Sequence, residues 1–276
     1  MNRCVFILVF FVSIFFFSCG EFTEEDSSNI AYSEYEDTSL AKIIVKGKLV
    51  VGVMDYAPPC AFKDALGNMV GFDVDIFKEI ASRLDVDVEF KTINWAFKDE
   101  LLEDGEIDCI ASSFTFSKVR QLDYALTTPT LYNAQVLVVK DGSNIYDLQD
   151  LSEKRIGILR SSNMEEFLKE TRSNLDLKNI TPYSSLLAAI EDLKMYALDA
   201  VVMDLLIINY MMQNNATDFR ILGSALTSEK YTYAFRRGDK LLRDAVEKIM
   251  LELEYEGRVL EASKKWFQGD IYLFGR

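Results

Sequence analysis

The sequence predicts an α/β protein of two lobes. Two observations lead there: from Leu40 onward short β-rich runs alternate with helical patterns, and that alternation runs through twice, the second series opening after residues 135–140. Strands separated by helices imply parallel sheets with helices on both faces.

In the first series, 48–54 (KLVVGVM) reads as a buried strand, and 71–84 as a helix with Val74, Phe77, Ile80, Ala81 and Leu84 along its apolar stripe. A strand is expected at 87–93, a short helix at 96–103, a strand at 107–111 and a helix start near Ser117. In the second series the strands are 154–159, 179–182 and 200–203, and the helices 164–172, 186–195 and 205–213. A strand at 231–236 follows, then a long amphipathic helix at 240–256 whose position suggests that the chain returns to the first lobe and closes it. The expected division is a secretory signal at 1–18, a tether at 19–39, a first lobe of 40–133 with 232–276, and a second lobe at 134–231.

The 276 residues are 49% hydrophobic and 27% charged, too apolar for a disordered chain. The formal net charge of −14 repels a phosphate backbone, which argues against a nucleic-acid partner. There is no His, which removes the usual general base of Ser and Cys hydrolases and the commonest zinc ligand. No cofactor or metal is expected, and an enzyme would have to rest on carboxylates, Lys or Tyr.

At the N-terminus Arg3 precedes a largely apolar run, 5–17, and then Ser18-Cys19-Gly20. The run is shorter than the about 20 residues a membrane span needs and suits a secretory signal; an uncleaved thin anchor is the alternative. Residues 21–39 are polar and acidic and read as a flexible tether. With Cys4 and Cys19 set apart, Cys60 and Cys109 remain, either paired or as apolar filling.

Ligands of open parallel sheets bind beyond the carboxyl ends of the strands. That directs attention to Met54-Asp55-Tyr56, to 112–115, to 160–163 and to Asp204. Ser112, Ser113 and Thr115 either cap a helix or, with Arg120, form an anion site. Asp204 either caps the helix that follows or receives an ammonium group. Trp95 and Tyr56 are either core or the two walls around a ligand side chain, and Asp55 is either a turn residue or a selector of a basic or amide side chain. Taken together, donors for a carboxylate, an acceptor for an ammonium and aromatics between them complement a free α-amino acid.

The fragments KLVVGVMDYAPP, GNMVGFDVDIFKEIA, LLEDGEIDCIASSFTFSKVRQLDYALTTP, DLQDLSEKRIGIL, LDAVVMD and YTYAFRRGDKLL with EYEGRVLEASKKWF follow one another in an order that resembles the bacterial extracellular solute-binding proteins of family 3, relatives of the lysine/arginine/ornithine-, histidine- and glutamine-binding proteins. The resemblance implies a periplasmic-binding-protein-like type II fold, two Rossmann-like lobes joined by two crossover strands and closing by a hinge. It implies a non-enzymatic, monomeric component of an ABC importer, with a free amino acid, polar or basic, and a transporter permease as partners. Arg120 matches the residue that grips the ligand carboxylate, Ser113 and Thr115 positions that complete the grip, and Ser112 a neighbouring contact. Asp204 matches the carboxylate for the ligand ammonium, Trp95 and Tyr56 the walls, and Asn163 a backbone contact from the second lobe. Where relatives commonly have Gln-Gly-Ser or Gly-Ser-Thr, this chain has Arg160-Ser161-Ser162-Asn163. Ser18-Cys19 resembles a lipobox, which implies a lipid anchor on Cys19 and a periplasmic or extracytoplasmic location, with Phe16 and Phe17 departing from the usual pattern. Two rival readings remain: a cyclohexadienyl-acid dehydratase with Asp55 as its acid, and a ligand-sensing partner of a receptor.

Overall fold

The computed structural model describes residues 36–171, 179–214 and 216–275, so the expected signal, Cys19 and most of the tether fall outside the described residues. The chain from Asp37 onward forms one compact unit.

It opens with α1 (Ser39–Lys46), β1 (Lys48–Met54), the hairpin β2 (Phe62–Lys63) and β3 (Met69–Val70), α2 (Phe72–Arg83), β4 (Asp87–Ile93), α3 (Lys98–Glu103), β5 (Cys109–Ile110) and β6 (Tyr124–Leu126). The second half carries β7 (Leu131–Lys140), β8 (Arg155–Leu159), α4 (Asn163–Thr171), β9 (Asn179–Tyr183), α5 (Leu186–Lys194), β10 (Ala200–Asp204), α6 (Leu205–Gln213) and β11 (Phe219–Tyr231). The chain then returns through β12 (Ala234–Arg236), α7 (Lys240–Tyr255) and α8 (Arg258–Phe267).

Two five-stranded sheets result, in the orders β4-β1-β5-β12-β6 and β11-β7-β10-β8-β9. β1 is parallel to β4 and β5, and β10 and β9 are both parallel to β8. The alternation of strands and helices thus predicted the parallel part of each sheet. It missed the antiparallel part: β12 runs against β5 and β6, and β7 runs against β10 and β11. These strands lead into or out of the two passages of the chain between the sheets.

The apolar periods account for the core. Every residue of β1 after Lys48 is buried, as a strand covered on both faces requires. The stripe Val74, Phe77, Ile80 and Ala81 of α2 packs inward beside Phe72. Leu242, Val246, Ile249, Met250 and Leu253 bring α7 back onto the first sheet. Gly71 permits the join between the hairpin and α2: its φ is +139°, and a Cβ there would lie 2.1 Å from the carbonyl oxygen of Cys60.

Other expectations shift. The end of the tether is built into the fold: Asp37 and Ser39 accept hydrogen bonds from the backbone amides of Leu241 and Leu242 at 2.6 and 3.0 Å, satisfying orphan donors at the start of α7. No α-helix follows Ser117; its hydroxyl accepts from the Arg120 amide at 3.1 Å and closes a 3-10 turn at Arg120–Leu122. The single strand expected at 231–236 is two, because Thr232 and Tyr233 leave the ladder of one sheet before Ala234 joins the other. Cys60 and Cys109 are free, buried thiols, pushed well up in pKa by burial.

Candidate functional site

Side chains from both halves surround one small cavity. Met54 at the end of β1, Trp95 after β4, and Ser113, Thr115 and Arg120 after β5 line it from the first half. Leu159, Ser162, Asn163, Met164 and Leu186 line it from the second half, with Asp204 and Gln135 on neighbouring strands. Its volume is about 20 Å³, room for a single water. Around it one apolar cluster runs from Met54, Ile93, Trp95 and Phe114 to Leu186, Ile190, Met203 and Ile207, so the two halves meet in packed contact.

The loop after β5 makes the donor side. Ser112 and Ser113 both adopt left-handed backbone conformations, with φ of +63° and +59°, uncommon for residues with a Cβ. Both hydroxyls are buried without a hydrogen-bond partner among the described residues. Such groups are few in folded proteins and mark places where another polar group fits. Arg120 lies with its guanidinium 4.3 Å from the centre of the Phe114 ring and donates from Nη1 to the Thr115 carbonyl at 3.0 Å. The stack and this bond orient the planar fork along the cavity wall.

The acceptor side is a pair of carboxylates. Asp204 ends β10, opposite Gln135 of β7. Its Oδ1 accepts from Asn133 Nδ2 at 2.7 Å, from Gln135 Nε2 at 2.9 Å and from the Tyr231 hydroxyl. No protein donor reaches Oδ2 among the described residues. Glu229 of β11, 8% exposed, pairs with Asn133 across the ladder. Its Oε1 accepts from the same two carboxamides, each at 2.7 Å. Its Oε2 accepts from Thr115 Oγ1 at 3.1 Å and Asn163 Nδ2 at 2.7 Å. Burial, and then the neighbouring Glu229 carboxylate, push the Asp204 carboxyl up to about 7, against the opposing pull of its hydrogen bonds.

The structure therefore brings Arg120, Asp204, Ser113, Thr115, Trp95 and Asn163 around one cavity. Three other candidates do not line it. Asp55 Oδ2 accepts a 2.6 Å hydrogen bond from Ser185 Oγ, which ties the two halves together. Tyr56 packs as a half-buried member of the apolar cluster, and the buried Ser112 lies behind Ser113 in sequence but off the lining. Asn163 lines the cavity and donates from its side chain to Glu229. Ser161 takes the left-handed conformation, with φ of +56°, and its amide donates to Glu165 at 2.7 Å. Glu229, Asn133 and Gln135 were missed, and the one signal in the sequence was the spacing of Thr227, Glu229 and Tyr231 at strand period, which sets them on one face.

Comparison with known proteins adds the family. A model of the bacterial extracellular solute-binding proteins, family 3, matches residues 49–269. The L-cystine-binding protein TcyJ of Escherichia coli (strain K12) is 27% identical over 234 residues, 84% of this chain and 87% of the relative. The crystal structure of Tv2483 bound to L-arginine superposes with a TM-score of 0.81 at 32% identity, covering 86% of this chain and 98% of that one. The ancestral amino acid-binding protein AncCDT-1, a precursor of cyclohexadienyl dehydratase, superposes with a TM-score of 0.75 at 25% identity over 83% of this chain and 99% of that one.

Proposed function

This chain belongs to the bacterial extracellular solute-binding proteins of family 3, with their type II periplasmic-binding fold, and from that membership we propose that it captures a free amino acid between its two halves and delivers it to an ABC importer. The observation that carries the reading is that Arg120 and Asp204, from different halves, line the same cavity. A guanidinium fork on one wall and a carboxylate on the other match the two charged ends of a zwitterion.

The other lining groups support particular roles. Ser113 completes the grip on the ligand carboxylate, its buried hydroxyl standing ready for such an acceptor, while Thr115 lines the same wall with its hydroxyl proton given to Glu229. Asp204 takes the ammonium on Oδ2, while its Oδ1 stays with Asn133, Gln135 and Tyr231. Met54, Trp95, Leu159 and Leu186 enclose the ligand side chain. A cavity of about 20 Å³ holds no amino acid, so the solute enters when the halves part and is enclosed when they close. The first half binds the carboxylate, and closure brings Asp204 to the ammonium. We infer also that the chain acts as a monomer, that it binds without chemistry, and that lipid on Cys19 holds it at the membrane outside the cytoplasm.

Thermal-shift measurement against the twenty amino acids and cystine, followed by titration of each hit, tests this: a specific ligand raises the melting temperature with the logarithm of its excess over Kd. Polar and basic amino acids are the expected hits. A panel without a hit contradicts the reading. Turnover of prephenate by the purified protein contradicts a binding role without chemistry. Against the dehydratase reading, Asp55 lies off the cavity lining and one of its oxygens accepts from Ser185.

A further inference from the structure

We propose that Glu229 is a positioning residue of the cleft: lying on a strand that leads from one half to the other, its carboxyl group holds Thr115 and Asn163, one from each half, in the closed arrangement. This rests on the cleft being the ligand site, and not on which solute fills it.

Glu229 accepts from four donors. Asn133 and Gln135 meet Oε1, and Thr115 and Asn163 converge on Oε2. Of the side chains of this length, only a carboxylate accepts at both oxygens; a carboxamide presents an NH2 to one pair of donors. Asn163 is the first residue of α4, seated on the second sheet, while Thr115 follows β5 of the first. Parting the halves therefore breaks a charge-assisted bond at Oε2 and leaves a buried carboxylate short of donors. The bond from Ser185 to Asp55 adds a second link between the halves that uses protein groups alone. Closure is then favoured before any solute arrives, and the solute adds to a bias already present.

The test is small-angle X-ray scattering on protein stripped of solute by unfolding in guanidinium and refolding, comparing wild type with Glu229→Gln, Glu229→Ala and Asn163→Ala. The expected result is a compact wild type and a larger radius of gyration in all three variants, with Gln opening the chain as far as Ala because shape without acceptor capacity does not serve. A Gln variant that superimposes on the wild type overturns the proposal, as does a wild type already as open as the variants. Should the Glu229 variants fail to refold, Asn163→Ala removes one leg of the clasp, and an unchanged radius of gyration there overturns it equally. No solute enters this measurement, so its failure leaves the amino acid reading to the thermal-shift panel.

Discussion

Asp204 and Glu229 share two donors: the carboxamide nitrogens of Asn133 and Gln135 each bond to both carboxylates, at 2.7 to 2.9 Å. The four side chains form a closed ring of hydrogen bonds in which Asp204 faces the cavity and Glu229 faces Thr115 and Asn163. Two buried carboxylates at this separation repel, and the Asp204 carboxyl is accordingly pushed up to about 7. A ligand ammonium at Asp204, as proposed, would reverse that.

Binding should therefore release a proton. In the free protein Asp204 holds its proton increasingly as the pH falls below about 7, while the bound ammonium requires the charged form. Affinity for a zwitterionic amino acid falls with decreasing pH below that point, by up to about tenfold per pH unit. Tyr231, Glu229 and Cys60 are the titratable groups that face Asp204, and Tyr231 and Cys60, being raised in pKa, stay neutral through this range. Calorimetry in buffers of different ionisation enthalpy counts the protons released. Asp204→Asn binds weakly at every pH and loses the slope; a wild-type affinity flat between about pH 5 and pH 7 contradicts this assignment.

Asp55 and Ser185 should act on closure as a pair. Ser185→Ala and Asp55→Ala each remove the same 2.6 Å bond between the halves. A hydrogen bond to a charged group contributes about 1.5–3 kcal/mol, which sets an upper range for the loss of affinity in either variant. The double variant should lose no more than the larger single loss, as a double-mutant cycle by calorimetry reads directly. Additive losses mean that Asp55 contacts the ligand separately.

Asp73 should give the fold its own pH dependence. It is buried in the first half, accepts a 2.7 Å bond from the Tyr233 hydroxyl, and burial pushes its carboxyl from 3.8 up to about 7. The folded state thus keeps a proton that the unfolded chain gives up between about pH 4 and pH 7. Its contribution to stability is full below about pH 4, declines as the pH rises through that window and is constant above it. Asp73→Asn keeps an acceptor for Tyr233 without titrating, so in denaturant melts it gains on the wild type with rising pH by up to about 1.4 kcal/mol per unit. A difference that stays constant from about pH 4 to pH 7 refutes this.

How much of this was legible in the sequence depended on whether the signal was local. β1 and α2 announce themselves by period, because burial on both faces of a strand or along one stripe of a helix leaves a pattern within a dozen residues. Asp204 was legible because it ends a run that reads as a buried strand. Arg120 was placed at a helix start that the structure replaces with a 3-10 turn, yet it reaches the cavity wall through its stack on Phe114. Glu229 was not legible as part of the site: its partners come from β7, from the loop after β5 and from the start of α4, and only the register of β11 on β7 brings them together. The link from Asp55 to Ser185 was hidden for the same reason, since the two lie 130 positions apart.

The zwitterion proposed to lie between Arg120 and Asp204 loses one of its two charged partners when either side chain is truncated. The most direct test is isothermal titration of the amino acid that stabilises the wild type most, carried out on wild type, Arg120→Ala and Asp204→Ala, with circular dichroism to show that the variants fold. Truncating one member of a desolvated charge pair costs about 2–5 kcal/mol, so the predicted result is at least a roughly thirtyfold rise in Kd for each variant. Wild-type affinity in both would contradict the account.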